Sequence, residues 1–599
     1  MIYHCEDHTC NYWDEGEKLP ERCPQCGRKL LRANETDMTG DDWTALGNTL
    51  WDAEASDKKR MVDCFRKAAY LGSAWGVCNL GICMEQGNGV EADPVQAFWL
   101  YQQAVEMGSL NAVCCLGVCY QYGIGTAPDA EKAAELYCKA AEYGSPRGQM
   151  LLARAFHDGI GVEADAAEAV HWVRAAAYQR YGEGMYRLGV CYEYGDGVEQ
   201  NWEHAVHWFR EAAESGVSTA MTDLGYCYEK GCGVEQSWEQ AFSWYRRGAE
   251  CGDLRSMHNL GYCYEKGCGV EQSWEQAFSW YRRGAECGYP VSMSNLGLCY
   301  KRGYGVEQNW QEAIKWYEQG AQCGHLQSMN NLACCYEDGE GVEQNEERAL
   351  YWYRRGAEAG SDYCMYCLGW NYSNGEGVEQ NMTEAIRWYT AAAEGGNADA
   401  MHDLGWHYDH GEGVEQDMKK AICWYERAAE QNHPAAMNSL GECYAMGRGV
   451  PRDLETAMEW YRRAAELGEA MADYNMGWHL EQAGKLSEAY AHYRKAADGN
   501  DDSAWWALGR FYENGVVVAQ DGKEARCCYE TGEKLGSVKC KMRLARCKLL
   551  GIGGRRAKKA GLDLCRQALE LAKESSEKED YGYEAEMNLL RRTIAENES

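Results

Sequence analysis

Residues Gly225 to Gly252, GYCYEKGCGVEQSWEQAFSWYRRGAECG, recur without a single change from Gly261 to Gly288, a step of 36 residues. Weaker copies run from there toward both ends of the chain. A fixed period in the range of roughly 20–50 residues restricts a chain to stacked architectures, in which each unit buries its apolar face against the next. A fold of that kind offers a long surface, so the first functional expectation is binding.

One copy reads as helix, turn, helix, turn. Ala220, Met221, Leu224, Gly225 and Tyr228 fall at helical spacing and give a first helix with one small and apolar face. Gly231 and Gly233 end it, the first in the left-handed conformation that glycine adopts without steric cost. Val234 then reads as a plug into the core. Ser237 to Gln240 has capping-box spacing, and Ala241, Trp244, Tyr245 and Ala249 make the apolar stripe of a second helix.

These positions persist as columns. The cap position holds Asp93, Asp129, Asp165, Asn201, Ser237, Ser273 and Asn309 in successive copies, all good acceptors at a helix start. The position five before the first-helix glycine stays small, as in Ala112, Gly148, Gly184, Ala220 and Ser256, which lets neighbouring backbones approach. The pattern A-x-x-x-L-G-x-x-Y-x-x-G-x-G-V, a cap, then A-x-x-W-Y-x-x-A-A-E-x-G resembles the Sel-1-like repeat, a relative of the tetratricopeptide repeat. Marking the first-helix Gly or Ala gives fifteen units, from position 47 to position 545. The resemblance implies an all-α, α/α superhelical solenoid over 41–575, whose members serve as adaptors for protein assemblies. Residues 576–599 are expected to form a C-terminal capping helix, with Met587, Leu590 and Ile594 covering the last repeat.

The totals narrow the function. With 93 acidic against 60 basic residues the net charge is −33, which argues against binding a phosphate backbone or an anionic lipid surface. No apolar run approaches the ~18–20 residues of a membrane span, and MIYHCEDHTC lacks the pattern of a secretory signal, so a cytoplasmic chain without membrane insertion is expected. Of 31 cysteines, nine share the column two after the first-helix Gly or Ala, including Cys83, Cys227, Cys263 and Cys443. A repeated column means a repeated environment, and reduced small core residues are the expectation. Secreted cysteine-rich members of the repeat family instead staple their helices with disulfides and are linked to penicillin binding. That leaves a thiol-dependent or β-lactam-hydrolysing enzyme as the alternative to a non-catalytic scaffold.

Residues 1–32 break the repeat. Cys5, Cys10, Cys23 and Cys26 lie in two pairs, the second of which, Cys-Pro-Gln-Cys-Gly, has the form of a metal knuckle. The segment resembles the rubredoxin-like or zinc-ribbon module, with a wider first pair than that family has, so His4 or His8 is an alternative ligand to Cys5. The expectation is a structural four-cysteine Zn site, zinc before iron, with no open position for catalysis. Residues 33–40 read as a linker.

By analogy with tetratricopeptide arrays, the first helices line the concave face, with positions −6, −3, +1, +4 and +5 from the glycine toward the groove. The +1 column gives Tyr226, Tyr262, Trp370, Trp406 and Trp478, and the −3 column gives His258, Tyr366, His402, Tyr474 and Trp506. Tyr363 adds to them at −6. Exposed Trp and Tyr typify binding hot spots, and these residues are the candidate protein- or peptide-binding surface; the competing reading is that they pad contacts between repeats. His402 and His410 are about 12 Å apart along a helix, too far to hold one ion. The Gly-x-Gly-Val turns have neither the preceding strand nor the lysine of a phosphate loop.

Overall fold

The computed structural model describes residues 2–5, 13–15, 30–33, 38–51, 55–578 and 584–598. Three short strands come first: Ile2–Cys5 lies between Trp13–Glu15 and Leu30–Ala33, antiparallel to both. All remaining described elements are helices, and they alternate as fifteen first-and-second pairs from Gly40–Thr49 to Lys558–Lys578, with a last helix Glu584–Glu598. The chain forms two compact units, Met1–Asn309 and Trp310–Ser599, each a stack of such pairs.

The pairing follows from ring against glycine. Tyr245 of the second helix Trp238–Glu250 is fully buried, and a Cβ on Gly225 would lie 2.5 Å from its ring. Gly81 meets Tyr101, Gly261 meets Tyr281 and Gly405 meets Tyr425 in the same way. The ring thus packs against the first helix where that helix has no side chain. Its hydroxyl donates to the carboxylate four residues beyond the glycine: Tyr245 to Glu229 (2.8 Å), Tyr281 to Glu265 (2.8 Å), Tyr529 to Glu513 (2.8 Å). A buried phenol without such a partner would cost about 1–3 kcal/mol. Position +4, read as groove-facing in the sequence, is therefore occupied within its own repeat. The adjacent tryptophans behave differently. Trp244, Trp424 and Trp460 are half-buried beneath Arg247, Arg427 and Arg463, whose guanidinium carbons lie 4.3, 4.3 and 4.5 Å from the ring centres. Tyrosine supplies the core and tryptophan the arginine-capped outer side of the second helix.

The turn glycines have two separate jobs. Gly231 ends the first helix at φ 75° and donates its N–H to the Cys227 carbonyl (2.8 Å). Gly233, at φ 68°, touches the preceding second helix so closely that a Cβ would stand 2.3 Å from the Trp202 carbonyl oxygen. Gly125, Gly161 and Gly269 meet Pro94, Ala130 and Trp238 in equivalent contacts. Between the turns, Ser237, Asp129 and Asn201 cap the second helices with their side chains. The small column closes the stack from the other side: Ser256 and Gly148 are buried against Gly248 and Ala140 of the preceding repeat. Met221, Met257, Met329 and Met401 fill the layer beneath.

The cysteine column is buried: Cys83, Cys227, Cys263, Cys299 and Cys443 are each at most 2% exposed, with free thiols. Burial pushes Cys227 and Cys263 up to about 12 and Cys443 to about 11. At the far end Met587 and Leu590 pack with Met542 and Cys565, and Arg543 forms a two-pronged pair with Glu586 (2.7 Å each) that pins the last helix.

Consecutive first helices also touch, as Leu110–Tyr122 does Pro146–Asp158 in the first unit and Asp502–Asn514 does Val538–Leu550 in the second. Consecutive second helices come less close among the described residues. First helices are therefore the tighter layer of each unit.

The two glycine roles separate by substitution. Gly252 has φ 88° and open space around it, so Gly252→Ala should cost only the left-handed penalty, about 1–2 kcal/mol. Gly233→Ala adds collision with a carbonyl and should cost at least twice as much, read as loss of helicity on urea titration.

Candidate functional site

Residues at +1 stand on the open side of the first helices. Tyr226 and Tyr262 are 42% and 38% exposed in the first unit; Trp370, Trp406 and Trp478 are 39%, 38% and 38% exposed in the second. Helix geometry explains this constancy: the flanking Gly225 or Gly369 is buried against a tyrosine ring, so its neighbour one step on faces outward. Each ring has local support. Lys230 and Lys266 lie 5.8 and 5.9 Å over Tyr226 and Tyr262. Trp406 stacks on His410 at 4.4 Å and 24°, and the His410 ring nitrogen Nδ1 is 3.0 Å from the Trp406 carbonyl. Tyr363, at −6, is 42% exposed, with its hydroxyl 3.8 Å from the Cys334 sulfur.

The −3 residues are placed differently. His258, Tyr366, His402 and Tyr474 are half-buried, each tilted against the core tyrosine of its own repeat, Tyr281, Tyr389, Tyr425 and Tyr493. The polar ends of His258, Tyr366 and His402 reach the residue at −2 in the next repeat. Tyr366 donates to Asp403 (3.2 Å), Tyr186 to Asp223 (2.9 Å) and Asn475 to Asn438 (3.0 Å), while Ser439 and Asn295 lie 3.5 and 3.4 Å from ring nitrogens of His402 and His258. A polar ladder thus joins successive first helices, and it explains why this column is both aromatic and polar. Spacing alone does not reveal it, since the partner sits 37 residues away. Trp506 is also half-buried, between Arg510 (4.6 Å) and Lys539 (5.2 Å), with its Nε1 buried and unbonded.

Beside the exposed row in the second unit is a cavity of about 480 Å³, lined by Trp370, Tyr366, Cys367, Glu337, Asp338 and Glu376 among others. Burial raises the Glu337 carboxyl, opposed by the hydrogen bond from Tyr353 (2.7 Å) and reinforced by Asp338 and Glu376. One buried thiol runs against the column trend. Cys115, outside that column, is held below the usual thiol range by the Cys78 hydrogen bond, against burial and with help from Arg147, but it is only 5% exposed. No described group of His, Cys, Asp and Glu is arranged to hold a metal. Cys10, Cys23 and Cys26 lie outside the described residues, as does His8; Cys5 ends the first strand. Among the described residues no helix is long and apolar enough to cross a membrane.

The Sel1 repeat profile matches thirteen consecutive segments, from 76–109 through 504–537. The chain belongs to the Sel1 repeat family. A solved structure described as a protective antigen of uropathogenic Escherichia coli displaying this repeat fold is 32% identical; the match covers 75% of this chain and 97% of that one, with a TM-score of 0.51. A Sel1 repeat protein from Oxalobacter formigenes is 27% identical over 51% of this chain and 89% of its own, with a TM-score of 0.41. No curated protein sequence matches. The Sel1 profile takes in the repeats carrying Tyr226, Tyr262, Trp370, Trp406 and Trp478, so these rings sit on the family's own framework.

One cap beside this face carries a pH signature. Asp501 accepts from the Ala504 N–H (2.6 Å), yet burial raises its carboxyl to about 6 from 3.8. The folded chain therefore favours the protonated form, and the stability from this group is greatest below pH ~4 and is lost as pH rises through about 6. Asp501→Asn keeps a capping acceptor without the charge. It should flatten the urea midpoint between about pH 4 and 6 and add about 1–3 kcal/mol at neutral pH.

Proposed function

We propose that this Sel1 repeat protein is a non-catalytic scaffold that holds a protein or peptide partner against its first-helix face. Sel1 repeat proteins generally serve as protein-interaction scaffolds, and the observation that carries the reading here is the outward row of Trp370, Trp406 and Trp478 on helices fixed by buried rings. Rigid indoles bury a large area on binding at little cost in side-chain entropy, which is why they dominate interface energetics. The carboxylates around the Trp370 cavity favour a partner segment that combines apolar with basic side chains. Tyr226 and Tyr262 are the corresponding contacts in the first unit. The half-buried His258, Tyr366, His402, Tyr474 and Trp506 contribute by keeping neighbouring first helices in register. Against a thiol-dependent or β-lactam-hydrolysing enzyme stands the cysteine column itself, whose thiols burial pushes toward 11 or 12, away from the thiolate that attack requires.

Substituting Trp370 and Trp406 together by Ala should abolish capture of the natural partner in an affinity pull-down while leaving far-ultraviolet circular dichroism unchanged. Loss of helicity, or undiminished capture, refutes the surface.

The same reading keeps a structural Zn in the amino-terminal module, held by Cys5, Cys10, Cys23 and Cys26, as a cap or second contact. Supporting it are the knuckle spacing and the antiparallel strands, one of which ends at Cys5. Metal analysis of the purified chain should give one zinc per molecule, reduced below half by Cys23→Ser with Cys26→Ser; an unchanged metal content overturns the site.

A further inference from the structure

The first unit carries a second cavity, outside the aromatic row, whose rim holds arginines as well as carboxylates. It has a volume of about 540 Å³ and lies between the first helices Pro146–Asp158 and Gly182–Tyr194, above the second helix Ala166–Tyr178. Its floor is apolar, with Val170 and Val173 buried and Leu151 and Val190 beside them. Its rim carries Arg147, Arg154 and Arg187. These occupy positions −6, +1 and −2, and the first two are the columns that hold Tyr363 and Trp370 in the second unit.

Three guanidinium groups around one apolar cavity are unusual in a chain with 93 acidic and 60 basic residues. Their partners decide what the cavity lacks. Arg154 pairs with Asp158 (3.3 Å), and His157 bridges Asp158 (2.7 Å) and Asp196 (3.2 Å). Those neighbours raise the His157 pKa, led by the Asp158 hydrogen bond. Both rim aspartates are thereby occupied. Glu183, the third rim carboxylate, faces the Tyr181 hydroxyl. Arg147 reaches only the Cys115 sulfur, at 3.7 Å. No carboxylate pairs with Arg147 or Arg187 among the described residues.

We infer that this cavity binds an acidic peptide segment of a partner protein, its carboxylate on Arg147 and Arg187 and a neighbouring aliphatic side chain on the valine floor. A guanidinium is matched in shape and charge by a carboxylate, which it binds through two parallel hydrogen bonds. The volume suits one or two side chains and not a whole ligand, so the rest of the bound chain runs along the exposed first-helix face. A polyphosphate is disfavoured because it has no aliphatic part to cover the floor of Val170, Val173, Leu151 and Val190. This site is independent of the aromatic row, and neither needs the other.

The test uses the full chain and a short blocked, fluorescein-labelled peptide in which leucine and glutamate alternate, read by fluorescence anisotropy. Binding is expected, with affinity reduced at least tenfold when glutamine replaces glutamate. Arg147→Ala and Arg187→Ala should each weaken binding about tenfold, with circular dichroism unchanged. Arg187→Glu should instead favour a peptide in which lysine replaces the glutamates, a gain that misfolding does not produce. Absence of binding, equal binding of the glutamine peptide, or unchanged affinity in both alanine variants overturns the assignment. Displacement by octanoate at the peptide's own affinity also overturns it, by giving the cavity to a free aliphatic acid. Loss of partner capture in the Trp370 and Trp406 variant leaves these measurements unaffected, so the two readings fail separately.

Discussion

A tyrosine ring lying on a bare stretch of helix is the contact on which each unit depends. The glycine of the first helix gives the ring its seat, and the acidic residue one turn on accepts from its hydroxyl, so one phenol satisfies both packing and hydrogen bonding. Interiors pack to crystal-like density, which leaves little freedom in how the two helices of a pair meet. Repeating that contact at Gly81, Gly225, Gly261, Gly405 and Gly441 fixes the same crossing again and again. A second close approach, of the turn glycine to the preceding helix, joins one pair to the next and sets the register between them.

What faces outward follows from this. When the glycine is held down on the ring, the residue after it is turned away from the core, and its identity is free of packing constraints. That position carries aromatic rings in some repeats, Arg154 in another and Cys334 in a third. The repeat thus separates residues that build the stack from residues left facing outward. The ladder from −3 to −2 of the next repeat lies between these roles. Its hydrogen bonds tie adjacent first helices, so that rings displayed from different repeats keep a constant spacing. Preorganised display of that sort lowers the entropy lost on binding.

Charge is distributed with the same economy. The net charge of −33 is spread over a long surface. Within it the cavity at Trp370 gathers carboxylates alone, whereas the one between the helices Pro146–Asp158 and Gly182–Tyr194 sets three guanidiniums among its carboxylates. Both use the same columns on the same kind of helix.

Periodicity alone determined the helix pairs, the glycine turns, the caps and the buried Ala, Cys and Met columns, because each depends on spacing within one unit or a fixed step to the next. The exposure of Trp370, Trp406 and Trp478 was legible for the same reason: it is set by a neighbouring glycine in the same helix. Only the folded stack decided that tyrosine enters the core while its tryptophan neighbour stays under arginine, that Glu229 and its equivalents belong to the core phenols, and that Tyr366 and His402 reach across to the following repeat. Those outcomes turn on which side chains meet across a helix pair or between pairs, and the sequence separates those partners by 16 or 37 residues. The arginine-rimmed cavity belongs to the second group too, since Arg147 and Arg187 come together only when two repeats are stacked.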